Sequence, residues 1–213
     1  MTVRLSALSL CLLLVAGCEP SSDAAPDAPA AGAPAAGAPS SDASADSSGA
    51  GYEAIQVGPR GLNVIGSGGV NTEVGLGTAE AEALAALTPL LGAPSESGEH
   101  NNCEVEDGYI RYVTWADGLT LNISSDSTVV GWQASGDNER IQTAGGVQLG
   151  SPLDMAQSAD STLTMDPESS IEHEFSLSSD MDAEGQGVGG FLSGAGATAT
   201  VRELFSGMNC YRR

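Results

Sequence analysis

Hydrophobic and polar residues are distributed differently in three successive parts of this chain. Residues 5–16 form a mostly apolar run, and residues 19–51 contain no apolar periodicity. From residue 52 onward, short apolar segments alternate regularly with turn residues, and about 160 residues are enough to bury a sizeable single core. We therefore predict one folded domain at 52–213, preceded by two segments that do not belong to its core.

Two segments of this domain have the spacing and end signals of α-helices. Leucines recur at helical spacing between Thr78, a favourable N-cap residue, and Gly92, which ends the pattern. Pro89 predicts a break near the end of this helix. A second, shorter helix is predicted to start after Ser151, which can cap it, and to end near Ser158.

Six further segments are rich in β-branched and aromatic residues or alternate between apolar and polar positions, which predicts strands. Tight turns join the first three of them, as in an antiparallel meander. The predicted strands are residues 109–115, 119–123, 129–132, 171–177, 188–193 and 199–205.

The two predicted helices begin in similar sequence. Residues 74–78, Val-Gly-Leu-Gly-Thr, align with residues 147–151, Val-Gln-Leu-Gly-Ser, and three predicted strands follow in each case. We therefore predict two tandem copies of one unit, at about residues 70–135 and 143–213. Chance similarity of such a short match is the alternative.

One stretch near the first helix has a family resemblance. Residues 76–84, Leu-Gly-Thr-Ala-Glu-Ala-Glu-Ala-Leu, and residues 90–94, Leu-Leu-Gly-Ala-Pro, resemble the opening of SmpA/OmlA (BamE-type) lipoprotein domains, although no Met follows Gly77. Two such units in tandem are similar to the β-lactamase inhibitor protein (BLIP-like) architecture. The resemblance implies an α+β fold of two tandem helix-plus-three-stranded antiparallel sheet repeats, and it implies no particular partner because one fold serves many functions.

The N-terminal segment has the pattern of a secretory signal peptide. Arg4 precedes the apolar run, the run is too short to span a bilayer, and small residues follow it. Residues 14–18, Leu-Val-Ala-Gly-Cys, resemble the lipobox of bacterial lipoproteins. This resemblance implies removal of residues 1–17, acylation of Cys18 and a membrane anchor, and Glu19 implies sorting to the outer membrane. A plain secreted protein cut elsewhere, or an uncleaved anchor, is the alternative.

Residues 18–51 are expected to form a tether behind this anchor. Ala, Ser, Pro, Gly and Asp dominate the segment, so it cannot bury enough surface to offset its ordering entropy. We expect it to be disordered, with a root-mean-square reach of about 30 Å.

The chain has a formal net charge of −21 and contains no lysine. Such a charge repels nucleic acid and anionic lipid headgroups, so nucleic-acid binding is excluded. The acidic residues either serve solubility or attract a cationic partner or a divalent metal.

The cysteines have separate expected roles. Cys11 lies in the apolar run and leaves with it, and the lipobox resemblance gives Cys18 to the lipid. Cys103 and Cys210 remain, and pairing is expected in an oxidising compartment. A metal-binding or nucleophilic role for either of them is the alternative.

Catalytic motifs are scarce in this sequence. The absence of lysine removes P-loop, Schiff-base and Ser-Lys mechanisms, and no Gly-x-Ser-x-Gly elbow occurs. His100 and His173 are the only histidines, and neither has a companion at zinc-ligand spacing. We therefore expect no enzymatic activity and no cofactor.

One acidic run has part of a calcium-loop pattern. Asp180, Asp182 and Glu184 place oxygen ligands at positions one, three and five, and Gly185 is at position six. Phe191 occupies position twelve, where a bidentate Glu is required. A solvated acidic turn is the alternative to a weak calcium site.

Four aromatic residues lie on the predicted meander. Tyr109, Tyr112, Trp115 and Trp132 either fill the core against the helices or form an open binding surface.

Taken together, these patterns predict a non-enzymatic, lipid-anchored protein of the bacterial cell envelope. Its domain faces the periplasm or the outside and binds another envelope or extracellular protein. The alternatives are a BLIP-like inhibitor of a hydrolase such as a β-lactamase, and a weak calcium-binding module.

Overall fold

The computed structural model describes residues 51–105, 108–166, 173–178, 187–196 and 198–210. Within these residues the chain forms twelve strands and two helices. In chain order they are β1 (Tyr52–Gly58), β2 (Gly61–Gly66), β3 (Asn71–Gly75), α1 (Glu80–Leu91), β4 (Glu96–Val105), β5 (Gly108–Thr114), β6 (Leu119–Ile123), β7 (Val129–Ser135), β8 (Ile141–Thr143), α2 (Leu153–Ala159), β9 (Leu163–Met165), β10 (Glu174–Leu177), β11 (Val188–Leu192) and β12 (Val201–Gly207).

The strands form two sheets. The smaller sheet has four strands in the order β3-β2-β1-β8, and only its β1–β8 pair is parallel. The larger sheet has eight strands in the order β4-β5-β6-β7-β12-β11-β10-β9, and all of its pairs are antiparallel. Each half of the larger sheet is a four-stranded meander, and the two meanders meet where β7 pairs with β12.

The predicted α+β fold of two tandem helix-plus-three-stranded antiparallel repeats (BLIP-like) is wrong. The described chain is mostly β, and its strands belong to one eight-stranded and one four-stranded sheet rather than to two three-stranded units. The predicted repeats also leave out β1 and β2 of the smaller sheet, because residues 52–69 precede the first predicted unit. Strands β1 and β2 nevertheless alternate clearly, with Ile55, Val57, Leu62 and Val64 buried.

Strand β4 is another strand that the apolar pattern did not predict, as are β3, β8 and β9. It contains Glu96, Glu99 and His100 and has no apolar alternation. It forms at the edge of the larger sheet because its backbone pairs with β5, from Glu96 opposite Thr114 to Val105 opposite Gly108. Backbone pairing alone can hold such a strand, since an edge strand needs no second neighbour.

The six predicted strands are confirmed where the structure describes them, and both helices occur close to their predicted positions. Helix α1 continues through Pro89 to Leu91, so the predicted break is wrong, and Gly92 ends it at a φ of 82°. Its N-cap residue is Ala79 rather than Thr78. The backbone N–H of Glu80 donates instead to the carbonyl of Ser127, at 2.8 Å.

The core lies between the two sheets and includes buried residues of both helices. Two hydrogen bonds join the sheets at the β1–β2 turn. The indole Nε1 of Trp132 donates to the carbonyl of Gly58 at 2.9 Å, and the hydroxyl of Ser206 donates to the carbonyl of Pro59 at 3.0 Å. These bonds fix the smaller sheet against one face of the larger sheet, and the opposite face of the larger sheet carries the candidate site.

Candidate functional site

A continuous row of eight residues crosses the outer face of the larger sheet, one from each strand. We call it the cross-sheet row. Each member is the register partner of the next, from one edge strand to the other. The members are Glu96, Thr114, Thr120, Gln133, Phe205, Gly189, Ser176 and Thr164.

Every member of the cross-sheet row is exposed or half-buried. In the six inner strands, the residues before and after the row member are all buried, because successive side chains point to opposite faces of a sheet. These buried neighbours are Val113, Trp115, Leu119, Leu121, Trp132, Ala134, Leu204, Ser206, Val188, Gly190, Phe175 and Leu177. Eight strands at the usual spacing make the row about 34 Å long.

Apart from Glu96, which carries a carboxylate, the polar members of the row carry hydroxyl and amide groups. The hydroxyls of Thr114 and Thr120 lie 2.8 Å apart, and those of Thr164 and Ser176 lie 3.2 Å apart. Such groups donate and accept hydrogen bonds without the desolvation cost of a charge. They are suited to contacting another polar surface.

Phe205 and Gly189 interrupt the polar row. The ring of Phe205 lies across Gly189, where an added Cβ would be 2.8 Å from ring atoms Cε2 and Cζ. The same ring contacts Phe191, with ring centroids 5.2 Å apart. Because Gly189 has no side chain, the Phe205 ring fits over it, and the row of side chains is interrupted at this position.

A hydrogen-bonded cluster around Asn122 lies beside the row. The Asn122 amide nitrogen donates to the carbonyl of Met208 at 3.0 Å and to Oδ1 of Asn209 at 2.9 Å. Its own Oδ1 lies 3.1 Å from Nε2 of His100, which therefore carries the proton. Asn122 thus connects the beginning of the larger sheet, at β4, to the segment that follows β12.

Cys210 comes directly after this cluster and is disulfide-bonded. Cys103 lies in β4, three residues after His100, but its side chain is outside the described part of the structure. The pairing of Cys103 with Cys210 stays a prediction, and the contacts of Asn122 with both His100 and Asn209 are consistent with it.

A second polar cluster holds the first residue of β1. The Tyr52 hydroxyl accepts a hydrogen bond from the amide nitrogen of Asn138 at 3.0 Å, and the guanidinium of Arg140 lies 4.2 Å from the centroid of its ring. Burial, together with a hydrogen bond to Asp117, raises the pKa of Tyr52 to about 12. This cluster anchors the start of β1.

The structure separates the four aromatic residues that were considered for a binding surface. Trp115 and Trp132 are only 1% and 0% exposed and belong to the core. Tyr109 is 47% exposed, and Tyr112 is half-buried. The Tyr112 hydroxyl donates to the Glu96 carboxylate at 2.7 Å, which raises the pKa of Tyr112. The tyrosines, unlike the tryptophans, are therefore available at the surface.

Several predicted sites lie outside the described residues. They are the lipidation site Cys18 and the candidate calcium ligands Asp180, Asp182 and Glu184. Within the described ranges, no group of three or more His, Cys, Asp or Glu residues is arranged to hold a metal ion. Across the same ranges, no helix has both the length and the hydropathy to cross a membrane.

Sequence reasoning missed the cross-sheet row as a unit. The outward positions of the alternating strands, such as Thr120 and Ser176, were recognisable as polar positions. Their alignment depends on the β7–β12 pair, in which Gln133 is opposite Phe205. No local pattern predicts that pairing, because the two strands are far apart in the sequence.

Comparison with known proteins found no matching family model, no matching curated protein and no matching solved structure. The resemblances at the lipobox and at residues 76–94 therefore stay predictions.

Proposed function

We propose that this chain is a lipid-anchored protein of the bacterial cell envelope, sorted to the outer membrane, that binds another envelope or extracellular protein without catalysing a reaction. The partner contacts the outer face of the larger sheet, along the cross-sheet row. Residues 18–51 connect this binding domain to the membrane through the lipid on Cys18.

The cross-sheet row is the observation that carries the proposal. A sheet face about 34 Å long carries accessible hydroxyl, amide and aromatic side chains, and a standard protein interface covers about 800 Å² of each partner. Interfaces combine such polar groups with aromatic anchors, and Phe205 occupies a central strand of the row. Its position is that of a binding anchor.

The N-terminal sequence supports the envelope location. The apolar run, the small residues and Cys18 have the pattern of a lipoprotein signal. The disulfide at Cys210 fits an oxidising compartment, where such bonds persist. Two or more acyl chains hold a protein stably at a membrane, whereas a single chain does so only marginally.

Affinity capture with three versions of the full chain tests this proposal. The versions are the native chain, Gln133→Arg in the centre of the row, and Met155→Arg, whose residue is 60% exposed on α2 and outside the row. Each version is expressed in the producing bacterium and recovered from detergent-solubilised membranes.

The expected result is one protein that co-purifies with the native chain and with Met155→Arg but is lost from Gln133→Arg. The Met155 variant controls for the added charge, and circular dichroism checks that all versions are folded. A co-purifying protein that is retained by Gln133→Arg would contradict the proposed surface, and recovery of no such protein would contradict the proposed function.

A further inference from the structure

A row of polar side chains crosses the outer face of the smaller sheet. We call it the amide row, because three of its four members carry amides. Gln142, Gln56, Asn63 and Glu73 are register partners in turn, one on each strand. All four are half-buried or exposed, and the residues on either side of Gln56 and Asn63 are buried. Because successive side chains of a strand lie on opposite faces, the amide row points away from the core.

A pocket of about 230 Å³ lies along part of this row. Gln56, Asn63 and Glu73 line it, and so do Gly58 and Gly61, which pair with each other at the β1–β2 turn. A Cβ added to Gly58 would meet no atom within 4 Å. The pocket is therefore open at Gly58, two residues along β1 from Gln56.

Two amides of the row make no side-chain hydrogen bond with the described part of the chain. Oδ1 of Asn63 is buried without a partner, and the amide of Gln56 also has none. By contrast, the side-chain oxygen of Gln142 accepts a hydrogen bond from the amide nitrogen of Gln148 at 3.0 Å. A buried acceptor without a donor costs free energy, so native proteins rarely leave one. Asn63 as a whole is half-buried and its terminal torsion is soft, so its amide can turn towards a ligand in the pocket.

The described residues that line this pocket carry no net charge, although the chain has a net charge of −21. Arg60 balances Glu73, and the other lining residues are neutral. A ligand held here therefore gains nothing from a net charge, and the field of the whole chain repels an anion. Pro59 and Ala144 add apolar surface. The pocket thus favours a neutral ligand that has several hydrogen-bonding groups and an apolar face.

We propose that this pocket binds an N-acetylated sugar unit of a glycan. The acetamido group of such a sugar has one N–H donor and one carbonyl acceptor, so it pairs reciprocally with side-chain amides. Its N–H donates to Oδ1 of Asn63, which needs a donor, and its carbonyl accepts from the amide nitrogen of Gln56. The sugar is neutral, and a single ring is smaller than the ligands that fill pockets of about 300–1,000 Å³. The site lies on a different face from the cross-sheet row, so it adds a second ligand to the proposed partner protein.

Titration with N-acetylglucosamine, followed by nuclear magnetic resonance, tests the inference. The comparison probe is glucose, which has the same ring but no acetamido group. The parent protein is the full chain carrying Cys18→Ser, which keeps it free of lipid. Gly58→Leu fills the pocket, and Gly194→Leu is its matched control, because a Cβ at Gly194 also meets no atom within 4 Å and this residue does not line the pocket.

Asn63→Leu is a further version, which removes the amide but keeps the size of the side chain. Because Oδ1 of Asn63 has no hydrogen bond to lose, this version should unfold at no lower urea concentration than the parent protein. Loss of sugar binding in a version that is equally stable separates a binding role of Asn63 from a structural one.

We expect N-acetylglucosamine to shift the backbone amide signals of Gln56, Gly61 and Asn63, and glucose to leave them unchanged at the same concentration. The shifts should disappear in Gly58→Leu and Asn63→Leu and persist in Gly194→Leu. Equal shifts with both sugars, shifts confined to other residues, shifts that persist in Gly58→Leu, or no shifts would overturn the inference.

Co-sedimentation with purified peptidoglycan and with chitin identifies the source of the sugar, because both insoluble polymers contain N-acetylglucosamine. We expect at least one polymer to retain the parent protein and Gly194→Leu but not Gly58→Leu, and the polymer that does so indicates the source. Retention by neither polymer would contradict binding to a glycan. Affinity capture with Gln133→Arg tests the proposed function separately, so failure of the sugar site would leave that function standing.

Discussion

The indole nitrogen of Trp132, in the eight-stranded sheet, donates a hydrogen bond to the carbonyl of Gly58, in the four-stranded sheet, at 2.9 Å. Trp132 is fully buried, and its acceptor Gly58 is half-buried at the β1–β2 turn, so this bond lies where the core meets the turn. The Trp132 side chain fills space between the sheets, and its indole N–H satisfies the backbone carbonyl of Gly58. Together with the hydrogen bond from Ser206 to Pro59, this contact fixes the smaller sheet against the inner face of the larger sheet.

Trp132→Phe should lower the free energy of unfolding by about 2–4 kcal/mol. The variant loses buried volume and leaves the carbonyl of Gly58 without its donor. Urea unfolding monitored by circular dichroism measures the change. Tyr109→Phe is the control, because Tyr109 is an exposed residue and its substitution should change stability by less than about 0.5 kcal/mol. Equal effects of the two variants would contradict this role for Trp132.

Tyr52 should make the domain less stable at high pH. Burial and the hydrogen bond to Asp117 raise its pKa from 10.0 to about 12, so the folded state retains the phenolic proton more strongly than the unfolded state. This contribution to stability is fully present below pH 10 and is lost as the pH rises towards 12. Urea unfolding at a series of pH values measures the loss.

Tyr52→Phe is the matched variant for that pH dependence. It cannot ionise, so its stability should fall less steeply between pH 10 and pH 12 than that of the native chain. At neutral pH the variant should be less stable by about 1–2 kcal/mol, because the amide of Asn138 loses its acceptor. If the free energy of unfolding of Tyr52→Phe falls as steeply with pH as that of the native chain, Tyr52 does not cause the loss of stability at high pH.

The predicted disulfide gives a separate test of the C-terminal segment. Cys103→Ser and Cys210→Ser should each lower the free energy of unfolding by about 2–5 kcal/mol, because the bond closes a long loop. Mass spectrometry of the unreduced, digested protein should find peptides containing residues 103 and 210 joined to each other. A link from Cys210 to any other cysteine would contradict the pairing.

Cys18→Ser should release the protein from the membrane. The substitution removes the thiol that the lipid modifies, so labelled palmitate should no longer be incorporated and the protein should move from the membrane to the soluble fraction. Cys11→Ser is the control, because its residue lies in the segment expected to be removed, and it should leave both readouts unchanged. Retention of the label in Cys18→Ser would contradict the anchor.

The sequence predicted local elements better than their assembly. Residues 119–123 and 129–132 were recognised as strands because Leu119, Leu121 and Ile123 alternate with polar residues. The same reasoning assigned no strand to Glu96–Val105, which pairs through its backbone and has no apolar pattern. It also left residues 52–75 without an element, although their alternation was readable.

The candidate site was less predictable than the strands. Tryptophan is common both in protein cores and at binding surfaces, so the sequence left both roles open for Trp115 and Trp132. Only the register of β5 to β7 determines that their side chains point inward. Phe205 and Gly189 meet because β11 and β12 pair, and the position of Gln133 opposite Phe205 requires the long-range β7–β12 pair. Such pairings depend on tertiary packing, which local sequence patterns do not contain.

Site-specific photo-cross-linking in the producing bacterium tests whether the cross-sheet row is the binding surface. A benzoylphenylalanine residue is placed at Thr120 or Ser176 in the cross-sheet row, or at Met155 or Glu53 at exposed positions outside it. We predict a discrete cross-linked protein from both row positions and from neither outside position. Cross-links to the same protein from the outside positions alone, or none from the row, would contradict the claim that this face of the sheet is the binding surface.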